Sequence, residues 1–224
     1  MTTEERIPAV WTIAIDGPAG AGKSTLAANL AEHLGLERLD TGAMYRAVAW
    51  AALDRGMDPG DSEAVASLGR SLSIAVDHGV TVDGKDVTRE IRTPAVDRAV
   101  SVVAANPEVR TELVRRQREW VERHGGGVVE GRDIGTVVLP HADLKVYLTA
   151  APAVRARRRA AERSEDTSIS QVEAELARRD KLDSTRTDSP LQAPGQAKDA
   201  LVVDSTDKSA VSILEEVLGC LKSR

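Results

Sequence analysis

The sequence predicts an α/β domain in which a mainly parallel β-sheet is covered by helices on both faces. Segments typical of buried strands alternate with segments typical of helices along most of the 224 residues. This alternation favours parallel strands joined by crossover helices. No connector separating two independent domains is evident, so we expect a single domain over residues 1–224.

The first elements follow from local patterns. Val10–Ile15 is apolar and β-branched and is stopped by Asp16-Gly17-Pro18, which predicts a buried strand. Leucines at four-residue spacing predict a helix over Lys23–Leu34, and Gly35 is a suitable residue to end it. A short strand and two further helices are predicted next, at Arg38–Asp40, Gly42–Arg55 and Ser62–Leu72.

A group of short β-like pieces then interrupts the helical pattern. Ser73–Val76, Val80–Val82 and Asp86–Val87 are separated by His78-Gly79 and Asp83-Gly84. Asp-Gly is a strong signal for a tight turn between antiparallel strands. We therefore predict a small antiparallel insertion outside the main sheet.

Two similar dipeptides, Thr93-Pro94 and Asn106-Pro107, predict the starts of the next helices. Each places a capping side chain before a proline at the first helical position. The second helix is expected to run to about Arg123, where glycines break it. The remaining predictions are strands at Val128–Glu130, Leu144–Leu148 and Leu201–Val203, helices at Val154–Arg163, Ser170–Leu182 and Ser209–Leu221, and a loop at Ser184–Lys198.

Composition narrows the classes of function. The formal net charge of −5 argues against a general polyanion-binding protein, although it is compatible with a local cationic pocket. Cys220 is the only cysteine, which excludes an intrachain disulfide and a cysteine metal site. Met1–Ala9 lacks a signal-peptide pattern, and the longest apolar run, Ala47–Leu53, is far shorter than the roughly 20 residues of a membrane span. We expect a cytoplasmic protein without membrane or nucleic-acid partners.

The clearest chemical motif is Gly17–Ser24, whose letters GPAGAGKS match the phosphate-binding pattern G-x-x-x-x-G-K-[ST]. Such a loop directs backbone N–H groups at phosphate oxygens, and the following helix adds partial positive charge. We expect Lys23 to reach the β- and γ-phosphates of ATP and the Ser24 hydroxyl to bind Mg²⁺. The alternative is a glycine-rich turn without a ligand, which the strand–loop–helix context disfavours. The predicted ATP-binding residues are Gly17, Pro18, Ala19, Gly20, Ala21, Gly22, Lys23, Ser24 and Thr25.

Asp16 directly precedes this loop, and the sequence leaves two roles open for it. Its carboxylate can act in catalysis, either by orienting a Mg²⁺-bound water or by accepting a proton from the acceptor. It can equally well hold the loop backbone in place. We carry Asp16 forward as a candidate catalytic residue.

A second anion site is predicted by arginines near the ends of other strands, where ligands bind in open α/β sheets. The guanidinium fork binds phosphate oxygens in pairs. A single arginine is more often a solvated surface residue, so the prediction depends on several of them lying in polar loops or at helix starts. The candidates are Arg46, Arg110, Arg132, Arg179 and Arg186.

The densest charge cluster comprises Arg155, Arg157, Arg158 and Arg159, with Arg163 beyond it. Residues 155, 159 and 163 are expected to share one helix face. A solvated face and a nucleic-acid patch are two interpretations of the cluster. We favour a third, a mobile lid that brings arginines over a phosphoryl group in transit, with Arg158 as its candidate catalytic residue.

Together these motifs resemble bacterial cytidylate kinases, and the resemblance covers nearly the whole chain. The most specific stretches are Gly131–Val138, with letters GRDIGTVV, and Arg178-Arg179-Asp180 with Asp183, Arg186 and Pro190-Leu191 downstream. Further matching stretches are Ile13–Pro18, Leu39–Arg46, Asp86-Val87, Glu90–Arg92 and Arg115–Arg118.

The resemblance implies a P-loop kinase fold, in which a parallel sheet flanked by helices carries two mobile parts. These are an enlarged nucleoside-monophosphate-binding insertion at about residues 61–123 and a short lid at about residues 154–167. The implied reaction transfers the γ-phosphoryl group of ATP, with Mg²⁺, to CMP or dCMP in pyrimidine nucleotide metabolism.

The same resemblance gives three residues each to the phosphate, the base and the ribose of the acceptor. These are Arg46, Arg132 and Arg186 for the phosphate, Thr41, Arg110 and Asp133 for the base, and Ser101, Arg179 and Asp183 for the ribose. The predicted catalytic residues are Lys23, Asp16, Arg132 and Arg158.

Other classes of function stay open at this point. One is a P-loop kinase with another acceptor, such as a different nucleoside monophosphate, shikimate or gluconate. A nucleotide-dependent switch is disfavoured because the chain has no Asn-Lys-x-Asp guanine-reading motif. RNA binding through the arginine-rich helix is disfavoured by the net negative charge. We expect a monomer, since no long exposed apolar helix stripe is evident.

Overall fold

A computed structural model describes residues 11–77, 79–162, 168–186, 188, 190–191 and 199–222. The strands in these ranges are β1 (Thr12–Asp16), β2 (Arg38–Asp40), β3 (Ile74–Val76), β4 (Val80–Val82), β5 (Lys85–Asp86), β6 (Gly127–Glu130), β7 (Leu144–Thr149) and β8 (Leu201–Asp204). The helices are α1 (Lys23–Leu34), α2 (Thr41–Asp54), α3 (Ser62–Ser71), α4 (Pro94–Ala105), α5 (Pro107–His124), α6 (Pro152–Ala161), α7 (Ile169–Ser184) and α8 (Ala210–Lys222). No helix in these ranges combines the length and apolar character that a membrane span requires.

The main sheet has five strands in the order β2-β6-β1-β7-β8, and every neighbouring pair is parallel. This confirms the predicted parallel sheet flanked by helices. Its carboxyl edge carries the glycine-rich loop after β1, the start of α2 after β2 and the Gly131–Asp133 loop after β6. Parallel strands bring these three connections to one edge, so residues distant in sequence meet there.

Alternate residues of the central strand β1 pack against different layers of helices. Ile13 and Ile15 are fully buried against α1 and α8, on the same face as Leu144 of β7. Ala14 points to the opposite face and joins the larger core formed with α2, α3, α4 and α5. This two-residue alternation is the usual consequence of strand geometry. Burial on both faces explains the nearly continuous apolar run that predicted this strand.

A second, three-stranded sheet lies between α3 and α4 in the chain and has the order β3-β4-β5. Its pairs are antiparallel, with Ile74 opposite Val82 and Val82 opposite Lys85. Asp83 and Gly84 both adopt positive φ, at 50° and 81°, in the tight turn between β4 and β5. The predicted antiparallel insertion is confirmed in position and strand order. His78, in the other predicted turn, lies outside the described residues.

The largest differences from the predicted elements are two short turns and a shifted helix. A 3₁₀ turn at Glu90–Arg92 and a π-helical turn at Ile134–Val138 were not predicted. The basic helix α6 begins at Pro152, because proline is suited to the first helical turn, and it ends at Ala161. Arg163 and the end of the predicted lid, residues 163–167, lie outside the described residues.

Only one of the two predicted helix caps forms. The side chain of Asn106 accepts hydrogen bonds from the N–H groups of Glu108 (3.0 Å) and Val109 (3.3 Å). Its amide also donates to the carbonyl of Ser62 at 2.8 Å, which ties the start of α5 to α3. The prediction that the Thr93 side chain caps α4 was wrong. The hydroxyl of Thr93 donates instead to the carbonyl of Glu90 at 3.0 Å, an acceptor that the unpredicted 3₁₀ turn supplies.

We predict that Asn106→Ala lowers the free energy of unfolding by about 1–2 kcal/mol, because the variant loses the cap of α5 and the hydrogen bond to the Ser62 carbonyl. Thr93→Ala is the matched control and should change the free energy of unfolding by less than about 0.5 kcal/mol, because Thr93 is exposed and does not cap a helix. Urea denaturation measures both. Equal losses in the two variants would contradict this assignment of the caps.

Candidate active site

A cleft with a volume of about 390 Å³ opens at the carboxyl edge of the main sheet. Every residue predicted to bind the acceptor lines it: Thr41, Arg46, Ser101, Arg110, Arg132, Asp133, Arg179, Asp183 and Arg186. From the glycine-rich loop, the lining residues are Ala19, Gly20, Gly22, Lys23, Ser24 and Thr25. Of the other predicted site residues, Arg158 lines the cleft, whereas Asp16, Gly17, Pro18 and Ala21 do not.

The loop after β1 has a backbone path that requires glycine at its first position. Gly17 has φ +146°, and a Cβ there would lie 2.0 Å from the carbonyl oxygen of Leu148 in β7. Gly22 precedes the first residue of α1 with φ 97°, in the left-handed region. The loop can therefore lie flat against β7 and lead into α1 with its N–H groups available. Together with the helix N-terminus, these groups form an anion site.

Lys23 is the first residue of α1 and is only 7% exposed. Nζ donates a hydrogen bond to the carbonyl of Pro18 at 2.9 Å. Burial, reinforced by the positive charge of Arg132, lowers the pKa of Lys23 to about 7. The charged lysine is thus poorly compensated in the ligand-free cleft, which favours an anion beside it.

Glu130 is a candidate functional residue that was not among the predicted site residues. It is the last residue of β6, and its Oε2 accepts a hydrogen bond from the Ser24 hydroxyl at 2.9 Å. Burial raises the pKa of Glu130 to about 7. Its Oε1 is buried and accepts no hydrogen bond within the described part of the chain. An acidic residue closing an apolar strand, directly before Gly131, was the signal available in the sequence.

Ser24 and Glu130 together fit a hard cation such as Mg²⁺, which prefers oxygen ligands. The orphaned Oε1 of Glu130 is the observation that supports this fit. In the described ranges no three or more His, Cys, Asp or Glu side chains are grouped to hold a metal by themselves. A bound Mg²⁺ would therefore depend largely on ligand phosphates and water, as is usual for this ion.

Asp16 holds backbone in place, but that backbone is the turn after β6 and not the glycine-rich loop that was expected. Its carboxylate accepts hydrogen bonds from the N–H groups of Ile134 (2.7 Å) and Gly135 (2.8 Å). Burial nevertheless raises the pKa of Asp16 to about 6. Because Asp16 does not line the cleft and both of its oxygens are engaged, it positions the turn after β6 and does not face the reacting groups.

The arginines of the acceptor side are buried around Asp183. Arg132 Nε donates to Asp183 Oδ2 at 2.9 Å, and its Nη1 donates to the carbonyl of Gly17 at 3.0 Å. Arg186 lies 4.0 Å from the same carboxylate. Nε of Arg179 is buried without a hydrogen-bond partner among the described residues. Burial, with Arg132 and Arg46 nearby, lowers the pKa of Arg179 to about 9. The cleft therefore holds more cationic groups than its carboxylates balance.

A buried ion pair lies farther inside the cleft. Arg110 and Asp133 are 4% and 5% exposed, and Nη2 of the arginine donates to Oδ2 of the aspartate. The guanidinium also lies over the ring of Tyr45, 5.6 Å from its centroid. The Thr41 hydroxyl donates to the carbonyl of Glu130 at 2.7 Å. This end of the cleft thus combines fixed donors and acceptors with an aromatic surface.

The basic helix α6 is divided in its contacts. Arg155 is buried and donates to the carbonyl of Ala19 (3.1 Å) and to Asp180 Oδ2 (2.5 Å), so it holds the glycine-rich loop. Arg157 is exposed. Arg158 and Arg159 line the cleft. Arg155 and Arg159 lie four residues apart on α6, as predicted, but their contacts differ: Arg155 holds the glycine-rich loop, whereas Arg159 pairs with Asp97.

Comparison with known proteins gives a consistent result over almost the whole chain. The profile of the family described as "Cytidylate kinase" matches residues 13–223. The chain is 48% identical to the cytidylate kinase of Solibacter usitatus, covering 95% of this chain and 92% of that protein. It is 46% identical to the bifunctional pantoate ligase/cytidylate kinase of a Synechocystis strain, covering 94% of this chain but 42% of that longer protein.

Structural comparison supports the fold independently. A gluconokinase from Sinorhizobium meliloti superposes with a TM-score of 0.51 at 15% identity, covering 95% of this chain and 92% of that one. At this identity the likeness concerns the fold alone. The family profile and the sequence identities show that the chain belongs to the cytidylate kinase family.

Proposed function

We propose that this protein transfers the γ-phosphoryl group of ATP to the phosphate of CMP or dCMP, giving ADP and CDP or dCDP, as a step of pyrimidine nucleotide metabolism. One observation carries the proposal. A single cleft joins a complete phosphate-binding loop to a second, buried set of arginines that its carboxylates do not balance. Two anionic substrates held side by side account for both halves.

On the donor side, the N–H groups of the glycine-rich loop and the N-terminus of α1 receive the ATP phosphates. Lys23 exchanges its contact with the Pro18 carbonyl for phosphate oxygens, which favour its charged form. Ser24 and Glu130 hold Mg²⁺ together with the nucleotide. The ion offsets negative charge on the ATP phosphates. The cleft must also place the acceptor oxygen in line with the γ-phosphoryl group and its leaving oxygen.

On the acceptor side, Arg46, Arg132 and Arg186 bind the CMP phosphate through paired N–H groups. The second pKa of a phosphomonoester is about 6, so the attacking oxygen is already ionised near neutral pH. No strong general base is required, which agrees with the engaged carboxylate of Asp16. The ribose lies near Ser101, Arg179 and Asp183.

The Arg110–Asp133 end of the cleft reads the base. Cytosine presents an amino donor at N4 and acceptors at N3 and O2, whereas uracil presents an acceptor at O4 and a donor at N3. A carboxylate and a guanidinium match cytosine and mismatch uracil. Thr41 already donates its hydroxyl proton to the carbonyl of Glu130, so its oxygen can accept from the cytosine amino group.

We also place this reaction in the cytoplasm and propose that α6, residues 152–161, belongs to a lid over the donor phosphates, while residues 61–123 form the acceptor-binding insertion. The monomeric state stays a prediction, which light scattering of the purified chain tests. Arg158 reaches the loop backbone, 3.4 Å from the Ala21 carbonyl, so its guanidinium lies beside the donor site before any closure.

We predict that CMP and dCMP are phosphorylated and that CMP exceeds UMP in kcat/KM by about 10-fold to 1,000-fold, because uracil leaves buried groups unpaired. A coupled ADP-release assay with CMP, dCMP, UMP, AMP and shikimate measures this. Turnover of AMP or shikimate without turnover of CMP would refute the proposed function.

We predict that Asp133→Asn lowers the CMP/UMP ratio of kcat/KM by about tenfold or more, because an amide group replaces an acceptor by a donor. Asparagine is preferable to alanine because its side-chain oxygen can still accept a hydrogen bond from Arg110. Alanine would leave the Arg110 guanidinium as a buried charge without compensation. If Asp133 only braces the loop, both substrates slow equally and the ratio stays unchanged.

We predict that Lys23→Met lowers kcat by about 100-fold or more while leaving thermal stability intact. The side chain contributes charge at the phosphates, and its buried ammonium group is poorly compensated without them. Activity and circular dichroism are measured on the same preparation. A folded variant with near-normal kcat would exclude the assigned role of Lys23.

We predict that Arg158→Ala lowers kcat by about tenfold or more, equivalent to roughly 1.4 kcal/mol, with little change in KM for CMP. Arg157→Ala is the matched control on the same helix and should leave kcat unchanged, because Arg157 is exposed. Steady-state kinetics of both variants decide between a lid and a solvated face. Unchanged kcat in both variants would exclude the lid.

A further inference from the structure

One partly buried carboxylate in the region of the cleft, that of Asp97, has no part in the reaction described so far. Asp97 lies in the first turn of α4, and its side chain is 13% exposed. It contacts arginines from three different helices. Arg46 of α2 lies at 2.5 Å, Arg159 of α6 at 3.2 Å and Arg179 of α7 at 4.0 Å.

Asp97 lines a small side cavity of about 40 Å³ that adjoins the cleft. The two spaces share Ser101, Arg159 and Arg179, so the carboxylate sits at the boundary of the acceptor site. Burial by itself raises the pKa of Asp97, but Arg46, Arg159 and Arg179 outweigh it and hold the pKa below its ordinary value. Asp97 is therefore an anion at neutral pH, bound where the proposed function places substrate phosphates.

We propose that Asp97 is a resident counter-anion that occupies Arg46 and Arg159 in the ligand-free protein and that the acceptor phosphate displaces it from Arg46. The inference rests on the proposed function, because it takes Arg46 as a ligand of the CMP phosphate. Arg159 comes from the lid helix. A single carboxylate thus connects an arginine of the acceptor site with an arginine of the proposed lid helix.

The exchange follows from charge and geometry. At neutral pH a phosphomonoester carries between one and two negative charges and three acceptor oxygens, against one charge and two oxygens for a carboxylate. The phosphate therefore displaces Asp97 from Arg46. Its affinity for the cleft is reduced, because breaking the Arg46–Asp97 ion pair costs free energy. Arg159 is tied to α4 and to the acceptor site as long as Asp97 bridges it to Arg46. This arrangement disfavours transfer of the phosphoryl group to water when CMP is absent.

The test compares Asp97→Asn with the wild-type protein and with Glu108→Gln. Glu108 also loses one negative charge on substitution, but it pairs with Arg70 on the exposed surface. Calorimetric titration with CMP in the absence of ATP measures the acceptor affinity. We expect Asp97→Asn to lower the Kd for CMP by about threefold to tenfold, and Glu108→Gln to leave it unchanged. ATP hydrolysis measured without CMP should rise severalfold in Asp97→Asn alone.

A raised or unchanged Kd for CMP in Asp97→Asn would overturn the proposal, because Asp97 would then hold Arg46 in its binding position or have no influence on it. Equal shifts in Asp97→Asn and Glu108→Gln would also overturn it, because net charge would explain them. If the asparagine variant does not fold, Asp97→Ser removes the same charge and must show the same tightening. Wild-type protein that binds CMP but does not phosphorylate it would refute the proposed function separately.

Discussion

The guanidinium groups of the cleft must stay charged inside the protein before any phosphate is bound, and much of the surrounding structure serves that constraint. Isolated buried charges are costly, so each arginine is supplied with oxygen atoms. Arg132 has Asp183 and the Gly17 carbonyl, and Arg110 has Asp133 and the Ala104 carbonyl. The compensation is incomplete at Arg179, whose Nε has no hydrogen-bond partner among the described residues and lies 4.0 Å from Asp183 Oδ2. The incomplete compensation gives the cleft its affinity for anions.

The same oxygen atoms join elements that are far apart in the chain. When Arg132 donates to Gly17, the loop after β6 is fixed to the glycine-rich loop after β1. Asp16 strengthens this junction from the other side by accepting from the turn at Ile134–Val138. Arg155 and Asp180 hold the loop to α6 and α7 through the backbone of Ala19. The donor and acceptor halves of the cleft are therefore joined by one connected set of contacts.

Electrostatics also explains why several carboxylates near the cleft differ in character. Asp16 and Glu130 have raised pKa values because burial dominates, whereas Asp97 and Asp183 have lowered values because nearby guanidinium groups dominate. The first pair holds the loops after β1 and β6 in place. The second pair neutralises the arginines that are proposed to receive phosphate. Burial alone does not decide whether the pKa of a carboxylate is raised or lowered. The charged groups next to the carboxylate decide it.

The sequence by itself determined the parallel sheet, the glycine-rich loop and the antiparallel insertion, because these depend on local apolar patterns and turn residues that act over a few positions. It also indicated which arginines and aspartates line the cleft, through the motifs that the chain shares with cytidylate kinases. Only the tertiary structure decided which carboxylate each arginine meets. It gave Arg155 and Arg159 different contacts, placed Asp16 on a backbone turn, brought Glu130 to Ser24 and replaced the Thr93 cap. The Thr93 contact is local and arises from a 3₁₀ turn that was not predicted. The other outcomes depend on pairings between residues that lie on different elements, and local sequence patterns carry no information about them.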